Sequence, residues 1–316
     1  MKRKDFFKYL TLGTAGLVAG TSIGYKLPNN KNYSAKNQVN NSISLRIAFI
    51  TDMHISPEIP RSITVLEKII KTLNNSKLPL DFIINGGDTV YDVFFENREK
   101  AEKQWDAVLK IFDKSTVPIY HVIGNHDIWA WGDKDILPSE DGYGKAMPLS
   151  KLNMLNPYYT FDKGNWKFIV LDNCQKDKQS YIVAIDKEQI YWLEHQISVC
   201  KQENICIISH APLFSACYQV FQITLNNGKL LQLPAKLLVN KDFKKINSLI
   251  NNPKLKLCLS GHLHMNEDIN YSKTRYISCN ALSGAKWKGS FLGFPPAYFL
   301  IDFYSNGSIS YKVKYI

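Results

Sequence analysis

Short apolar runs recur along this chain from residue 45 onward, and five of them stop abruptly at polar residues. "LRIAFI" (45–50) runs into "TDMH", "DFIIN" (81–85) into "GGDT", and "PIYHVI" (118–123) into "GNHD". "NICIIS" (204–209) runs into "HAP", and "LKLCLS" (255–260) into "GHLH". Continuous apolar runs of this length, bounded by Gly, Asp and Asn, predict strands buried on both faces. Apolar residues at helical spacing predict helices over 62–75 and 98–114. Alternating strands and helices are the signature of an α/β fold.

The rest of the pattern adds strands. Residues 158–172 read as a hairpin turning at Asp162–Lys163–Gly164, and 186–201 as a helix capped by Asp186. "DINYS", "TRYISC", "AYFLIDF" and "SISYKVKYI" predict a C-terminal meander of antiparallel strands, with a turn at "SNGS" (305–308). No repeat and no second domain boundary interrupts 45–316. The expected architecture is α/β (α+β): a four-layer αββα sandwich, two mixed β-sheets flanked by helices.

The first 44 residues follow other rules. Lys2, Arg3 and Lys4 precede an apolar run rich in Gly, Ala and Thr, so 1–24 reads as a signal or anchor segment. The run is short and weakly apolar for a spanning helix. "RKDFFK" is similar to the twin-arginine export motif, with Lys4 in place of the second arginine; an ordinary secretory signal is the alternative. Small cleavage-site residues are poorly placed, which leaves an uncleaved membrane anchor open. Residues 25–44 are polar and Asn-rich and read as a flexible linker. The expectation is a protein passed to the export machinery, then periplasmic or anchored on the outer side of the cytoplasmic membrane.

Composition narrows the partners. With 45% hydrophobic and 12% aromatic residues, the 316-residue chain has ample material for a core. The formal net charge is +11, but lysines are scattered and no dense basic block follows the N-terminus, which argues against nucleic acid. A positive field also suits an anionic substrate. None of the six cysteines forms a C-x-x-C pair, and Cys206 and Cys258 fall inside strand-like runs, where burial is the expected role.

The polar residues at the five strand ends are Asp52, His54, Asp88, Asn125, His126, Asp127, His210, His262 and His264, which takes five of the chain's seven histidines. Strand C-terminal ends are where α/β sheets bind ligands. Carboxylate, imidazole and amide without thiolate suit Mn, Fe, Zn, Co or Mg rather than a structural zinc–thiolate site. Any one of these histidines alone would read as a core residue; the set does not. His262 and His264, two positions apart at a strand end, are expected to project to the same side. Gly86 and Gly87 would let the backbone turn tightly before Asp88, and Gly261 would let it pass close to the centre.

"DMH", "GGD", "GNHD", "SH" and "GHLH", in this order, resemble the signature blocks of the calcineurin-like metallophosphoesterases, over roughly 45–302. The resemblance implies a dinuclear metal-dependent phosphoric ester hydrolase acting on mono- or diesters. Asp52, His54 and His264 would bind the first metal. Asp88 would bridge to a second, held by Asn125, His210 and His262. A bridging hydroxide would attack phosphorus in line. His126 would bind no metal and would act as general acid, with Asp127 orienting its imidazole. "GDTVY" (87–91) also resembles the purple acid phosphatases, in which Tyr91 would bind iron; that branch lacks a histidine at the position of His54. A third reading is a non-catalytic binding protein on the same fold.

Substrate clues are sparser. Residues 128–156 form a long segment with aromatic residues and glycines. Trp129, Trp131, Tyr143 and Lys145 would touch substrate if it covers the site, or pack on one another if it is a surface insertion. No arginine follows "GNHD" closely; Arg98 is the nearest to Asp88. The expected substrate is a phosphorylated small molecule, a nucleotide or a lipid head group.

Overall fold

The computed structural model describes residues 42–77, 79–224 and 230–316. The segment expected as a signal (1–24) and all but the last three residues of the expected linker (25–44) lie outside the described residues. Among the described residues no helix is long and apolar enough to cross a membrane.

The first half alternates as the pattern predicts. Strand β1 (Ile43–Ile50) starts two residues before "LRIAFI", inside the segment expected as linker. Helix α1 (Pro60–Asn74) follows, with Pro60 in the first turn, where a missing N–H costs nothing. Next come β2 (Phe82–Asn85), α2 (Arg98–Phe112) and β3 (Ile119–His121). Asn97 caps α2 by accepting from the Lys100 N–H at 3.0 Å. A short helix α3 (Ala146–Lys151) precedes the hairpin β4 (Tyr159–Lys163) and β5 (Trp166–Leu171).

A small hairpin β6 (Cys174–Asp177) and β7 (Ser180–Val183) leads to α4 (Lys187–Ser198). Asp186 caps α4 by accepting from the Gln189 N–H at 2.8 Å, as expected. The chain continues through β8 (Asn204–Ser209), the ribbon β9 (Gln222–Thr224) and β10 (Leu230–Gln232), α5 (Phe243–Ile250) and β11 (Leu255–Ser260). It closes with β12 (Glu267–Tyr271), β13 (Thr274–Ser278), β14 (Ala297–Tyr304) and β15 (Ile309–Tyr315).

These strands form two mixed sheets, ordered β15-β14-β1-β2-β3 and β12-β13-β11-β8-β5-β4. The expected C-terminal meander is therefore split. β12 and β13 join the second sheet, where β13 lies parallel to β11, while β14 and β15 run antiparallel beside β1 in the first. Runs that look alike in sequence separate because the long 279–296 connection carries the chain from one sheet to the other.

The inner faces of the sheets meet in an apolar layer from both sides: Ile47, Phe49, Phe82, Phe299 and Phe303 against Trp166, Phe168, Ile208, Leu257 and Leu259. The outer face of the first sheet packs Ala48, Ile50 and Ile83 on Leu66, Ile70, Trp105 and Val108 of α1 and α2. That of the second packs Ile169, Ile205 and Ile207 on Leu193, Ile246 and Ile250 of α4 and α5. This is the expected four-layer αββα sandwich. Burial on both faces is why these strands read as unbroken apolar runs.

Phe303 bridges the sheets, its ring 4.7 Å from Trp166 and 5.5 Å from Phe168. Phe303→Ala is expected to lower the unfolding free energy by about 3–5 kcal/mol in denaturant titration. A loss below about 1 kcal/mol would mean that the inter-sheet layer closes over the gap.

Candidate metal centre

Every polar strand-end block lands on one edge of the sandwich, where the parallel strands of both sheets end. The blocks are laced together through backbone. Asp52 N–H donates to Gly87 C=O at 2.9 Å, His54 N–H to Asp88 C=O at 3.0 Å, and Gly261 N–H to His210 C=O at 2.8 Å.

The backbone at the centre is left-handed where the chemistry sits. Asp52, His54, Asp88, His262 and His264 have φ of 53, 45, 50, 69 and 59°. Non-glycine residues rarely adopt this region, and each such residue costs of order 1 kcal/mol or more. His262 and His264 thus do not share a side through strand alternation. β11 ends at Ser260, and a tight turn aims both rings inward while Leu263 is fully buried in an apolar cluster with Met265 and Phe291.

Glycine is required where the blocks touch. A Cβ on Gly124 would fall 2.2 Å from both the backbone N and Oδ1 of Asp88, and one on Gly261 would fall 2.1 Å from Thr51 Oγ1 and 2.3 Å from Asp52 Oδ2. Gly261 therefore makes room for the Thr51 and Asp52 side chains.

Two ligand pockets share one carboxylate. Asp52, His54, Asp88 and His264 bring ligand atoms within 4.8 Å of one another, and so do Asp88, His210 and His262. Each histidine spends its other ring nitrogen on a backbone carbonyl. His54 Nδ1 reaches Tyr91 C=O (3.1 Å), His210 Nδ1 reaches Gly86 C=O (2.9 Å), and His264 Nδ1 reaches Gly284 C=O (2.7 Å). His262 is turned the other way, with Nε2 2.8 Å from Leu237 C=O. A carbonyl only accepts, so these contacts fix the tautomer and aim a lone pair at the centre.

The inward nitrogens then face each other. His54 Nε2 lies 3.2 Å from His264 Nε2, and His262 Nδ1 lies 3.2 Å from His210 Nε2. Two lone pairs at that distance repel unless a cation or an extra proton stands between them. The buried Asn125 Oδ1, expected as the amide ligand, has no hydrogen-bond partner among the described residues. A carbonyl oxygen left bare beside two imidazole pairs and a shared carboxylate is what a metal pair would complete. The residues fit such a pair.

Electrostatics agree. Burial pushes the Asp88 carboxyl up, but the charges of His210 and His126 and a hydrogen bond from His210 hold it well below the usual range. Burial pushes His210 down, but the charge and hydrogen bond of Asp88, 3.3 Å away, lift it to about 9. Burial, then the charge of His210, lowers His262 to about 4. In the metal-free protein a proton on His210 takes the place of a cation.

His126 sits at the rim, its backbone N–H donating to Asp88 Oδ1 at 2.8 Å and its side chain partly exposed. Asp127 does not orient the imidazole. Its carboxylate accepts from the N–H groups of Thr89 (2.8 Å), Gly124 (2.9 Å) and Val90 (3.2 Å), tying "GNHD" to "GDT". Burial and the charge of Asp88 push Asp127 up to about 7, against those donors. The carboxylate beside the ring is Asp92, whose Oδ1 is 3.2 Å from His126 Nδ1. Gln104 of α2 holds the Asp92 backbone through two bonds of 3.0 Å. Asp92 lies four residues after Asp88 in "GGDTVYD", a spacing that carried no signal by itself.

The cavity over the centre is lined by Asp88, Asn125, His126, His262, His264 and Lys286, with walls from Tyr181, Phe221, Leu233, Leu238 and Phe291. The substrate candidates Trp129, Tyr143 and Lys145 do not line it. Trp129 is buried in the core under α2, its indole N–H on Glu96 C=O at 3.0 Å. Lys145 pairs with Asp172, and Tyr143 meets Lys176. Trp131 is likewise packed among buried residues. The 128–156 segment packs on itself and its neighbours because its aromatic residues find apolar partners there. Tyr91 meets His54 through its backbone carbonyl, and burial, then the charge of Asp92, raises its phenol, which disfavours the tyrosinate an iron ligand would need. Arg98 is exposed and paired with Asp141. The six cysteines are unpaired, Cys206 and Cys258 being buried as expected.

Residues 45–266 match the profile of the calcineurin-like phosphoesterases. A 3′,5′-cyclic-nucleotide phosphodiesterase of Nostoc sp. is 22% identical over 288 residues, 87% of this chain and 94% of that protein. A manganese-dependent ADP-ribose/CDP-alcohol diphosphatase of Arabidopsis thaliana is 24% identical over 247 residues, 64% of this chain and 70% of that protein. The crystal structure of a dimetal phosphatase from Danio rerio shares the fold, with a TM-score of 0.59 at 13% identity, covering 87% of this chain and 100% of the other.

A ligating imidazole must be neutral. His210 stays protonated up to about pH 9, so protons compete with metal at its pocket below that value. Metal affinity there is expected to rise with pH by up to about tenfold per unit and to level off above about pH 9. Chelator competition across pH 7–10 measures it, and a flat profile would show that His210 is already neutral.

Proposed function

We propose that this chain, which belongs to the calcineurin-like phosphoesterase family, is a dinuclear-metal hydrolase of anionic phosphate esters, with diesters preferred over monoesters. Two pockets that share Asp88, with His126 at their open rim, carry this reading. Asp52, His54 and His264 would hold one ion, Asn125, His210 and His262 the other, with Asp88 between. When bound, such a pair supplies a nucleophile at neutral pH and neutralises charge developing on phosphorus. Manganese, iron, zinc, cobalt and magnesium all suit this oxygen and nitrogen donor set.

The chain's own residues do the rest. His126, with Asp92 at its Nδ1, is placed to give a proton from its other nitrogen to the leaving oxygen. Asp92 stands 3.2 Å from the inner nitrogen of the ring, so it positions the acid. Asp127 keeps the "GNHD" and "GDT" loops in register. The walls Phe221, Leu233, Leu238 and Phe291 would seat an apolar or aromatic substituent. A cyclic nucleotide, or ADP-ribose or a CDP-alcohol, as named for the two relatives, fits such a wall, and so does a lipid head group. Among the described residues the cavity lining holds no arginine, which favours a singly charged diester over a dianionic monoester. Export through residues 1–24 belongs to the same proposal, supported by the basic start and apolar run.

On manganese-loaded protein, bis-p-nitrophenyl phosphate is expected to be hydrolysed at a higher kcat/KM than p-nitrophenyl phosphate; the reverse order would assign a monoesterase. His126→Ala is expected to lower kcat by about 10²–10⁴-fold with both metals retained. Its backbone N–H, the part that touches Asp88, survives the change. Loss of metal from this variant would make His126 a ligand instead of an acid. Fractionation of cells producing the full chain tests export: the protein is expected outside the cytoplasm, and a purely cytoplasmic product would refute that step.

A further inference from the structure

The 279–296 connection reaches the centre at Gly284–Trp287, and there the chain is fastened on two sides. The Trp287 indole N–H lies 3.0 Å from Met53 C=O and 2.9 Å from His54 C=O, across the loop that carries Asp52 and His54. Gly284 C=O receives His264 Nδ1 at 2.7 Å. Between these anchors Lys286 and Trp287 adopt φ of 49 and 71°. Neither residue is suited to that backbone, so the fastening holds a shape the local sequence would not choose.

That shape carries the Lys286 side chain into the site. Lys286 is only 3% exposed and lines the cavity beside Asp88, Asn125 and His126. Its Nζ is buried and, among the described residues, has no hydrogen-bond partner. It stands 4.9 Å over the Tyr91 ring, which offers a cation–π contact and fills none of its three donors. Asp92, Asp88 and Asp52 lie close enough to act on its charge, yet no ion pair forms. A buried ammonium with every donor free is costly to maintain unless something accepts from it. An oxygen anion entering the cavity would find these donors free to donate.

We infer that Lys286 is the substrate-anion contact of this site: its ammonium donates to a non-bridging oxygen of the phosphoryl group of a phosphodiester. The inference rests on the phosphoesterase reading. One flexible point charge, with no arginine fork beside it among the described residues, contacts a single non-bridging oxygen and leaves the ester oxygens to the rest of the site. The segment also explains why the lysine follows Ala285 and precedes Trp287: the indole pins the turn, and the small Ala285 packs with Leu263 and Phe291 beneath it.

Lys286→Met and Lys286→Arg are compared with the parent chain, all loaded with manganese and checked for two metals by elemental analysis. KM for bis-p-nitrophenyl phosphate and the inhibition constant of inorganic phosphate are read for each. Lys286→Met is expected to raise both by about tenfold or more, the loss of one charge-assisted hydrogen bond. Arginine is expected to restore part of the phosphate affinity. If Lys286→Met does not fold, Lys286→Gln answers the same question. Unchanged KM and phosphate affinity with both metals in place would overturn the inference and leave the phosphoesterase reading standing. Loss of metal from Lys286→Met would also overturn it, since the lysine would then serve the metal pockets. A parent chain that hydrolyses no phosphate ester but binds phosphate through Lys286 would refute the activity and keep the anion site.

Discussion

Two pairs of imidazole nitrogens face each other at 3.2 Å around one carboxylate, and the rest of the site follows from that confrontation. Each ring is turned inward because its far nitrogen is committed to a carbonyl. Four such commitments come from three segments: Gly86 and Tyr91 from the β2–α2 connection, Leu237, and Gly284. None of them could relax alone without exposing a carbonyl or losing the tautomer. The repulsion is thus built into the fold, and a positive charge relieves it. At the His210–His262 pair a proton on His210, drawn there by Asp88, takes that role when no metal is bound. Metal binding and proton release are two sides of one equilibrium.

Holding four rings in opposition needs a rigid frame. The parallel strands β1, β2, β8 and β11 supply it, since each ends at the same edge and is buried on both faces. Their loops then run in left-handed conformations that the residues themselves disfavour. The strain is offset by the lacing between loops: Asp52 to Gly87, His54 to Asp88, and the Asp127 carboxylate across three N–H groups. Glycine appears where a loop must pass through the space of another, as at Gly124 and Gly261. Asp52, His54, Asp88, His262 and His264 are both strained and candidate ligands, as expected where a fold is shaped around a site.

Much of this was legible in the chain. Apolar runs that stop at Asp, Asn and His mark strand ends, and the donor types there imply metal. What stayed hidden depends on contacts between distant segments. Asp92 and Asp127 are both acidic neighbours of motif residues, and sequence alone favours the one adjacent to His126. Yet adjacency in a tight turn points Asp127 back at its own backbone, while Asp92 arrives from the neighbouring loop. The aromatic 128–156 segment misled for a related reason. Tryptophans near a motif suggest substrate contact, but Trp129 finds the core under α2 first. The split of the C-terminal strands was equally invisible, because which sheet a strand joins is decided by the connection before it.

Lys286 shows the limit most clearly. In sequence it is one lysine among many scattered lysines, and no spacing separates it from the solvated majority. Its meaning lies in burial, in three free donors and in the Trp287 anchor, all of which require the 279–296 connection to cross from one sheet to the other. That crossing is the same topological step that breaks the expected meander. A continuous meander would have kept β13 and β14 adjacent and left no chain to reach the centre. The excursion between the sheets therefore does two things at once. It closes the first sheet with β14 and β15, and it delivers to the metal pockets a buried cationic side chain that is not one of their ligands.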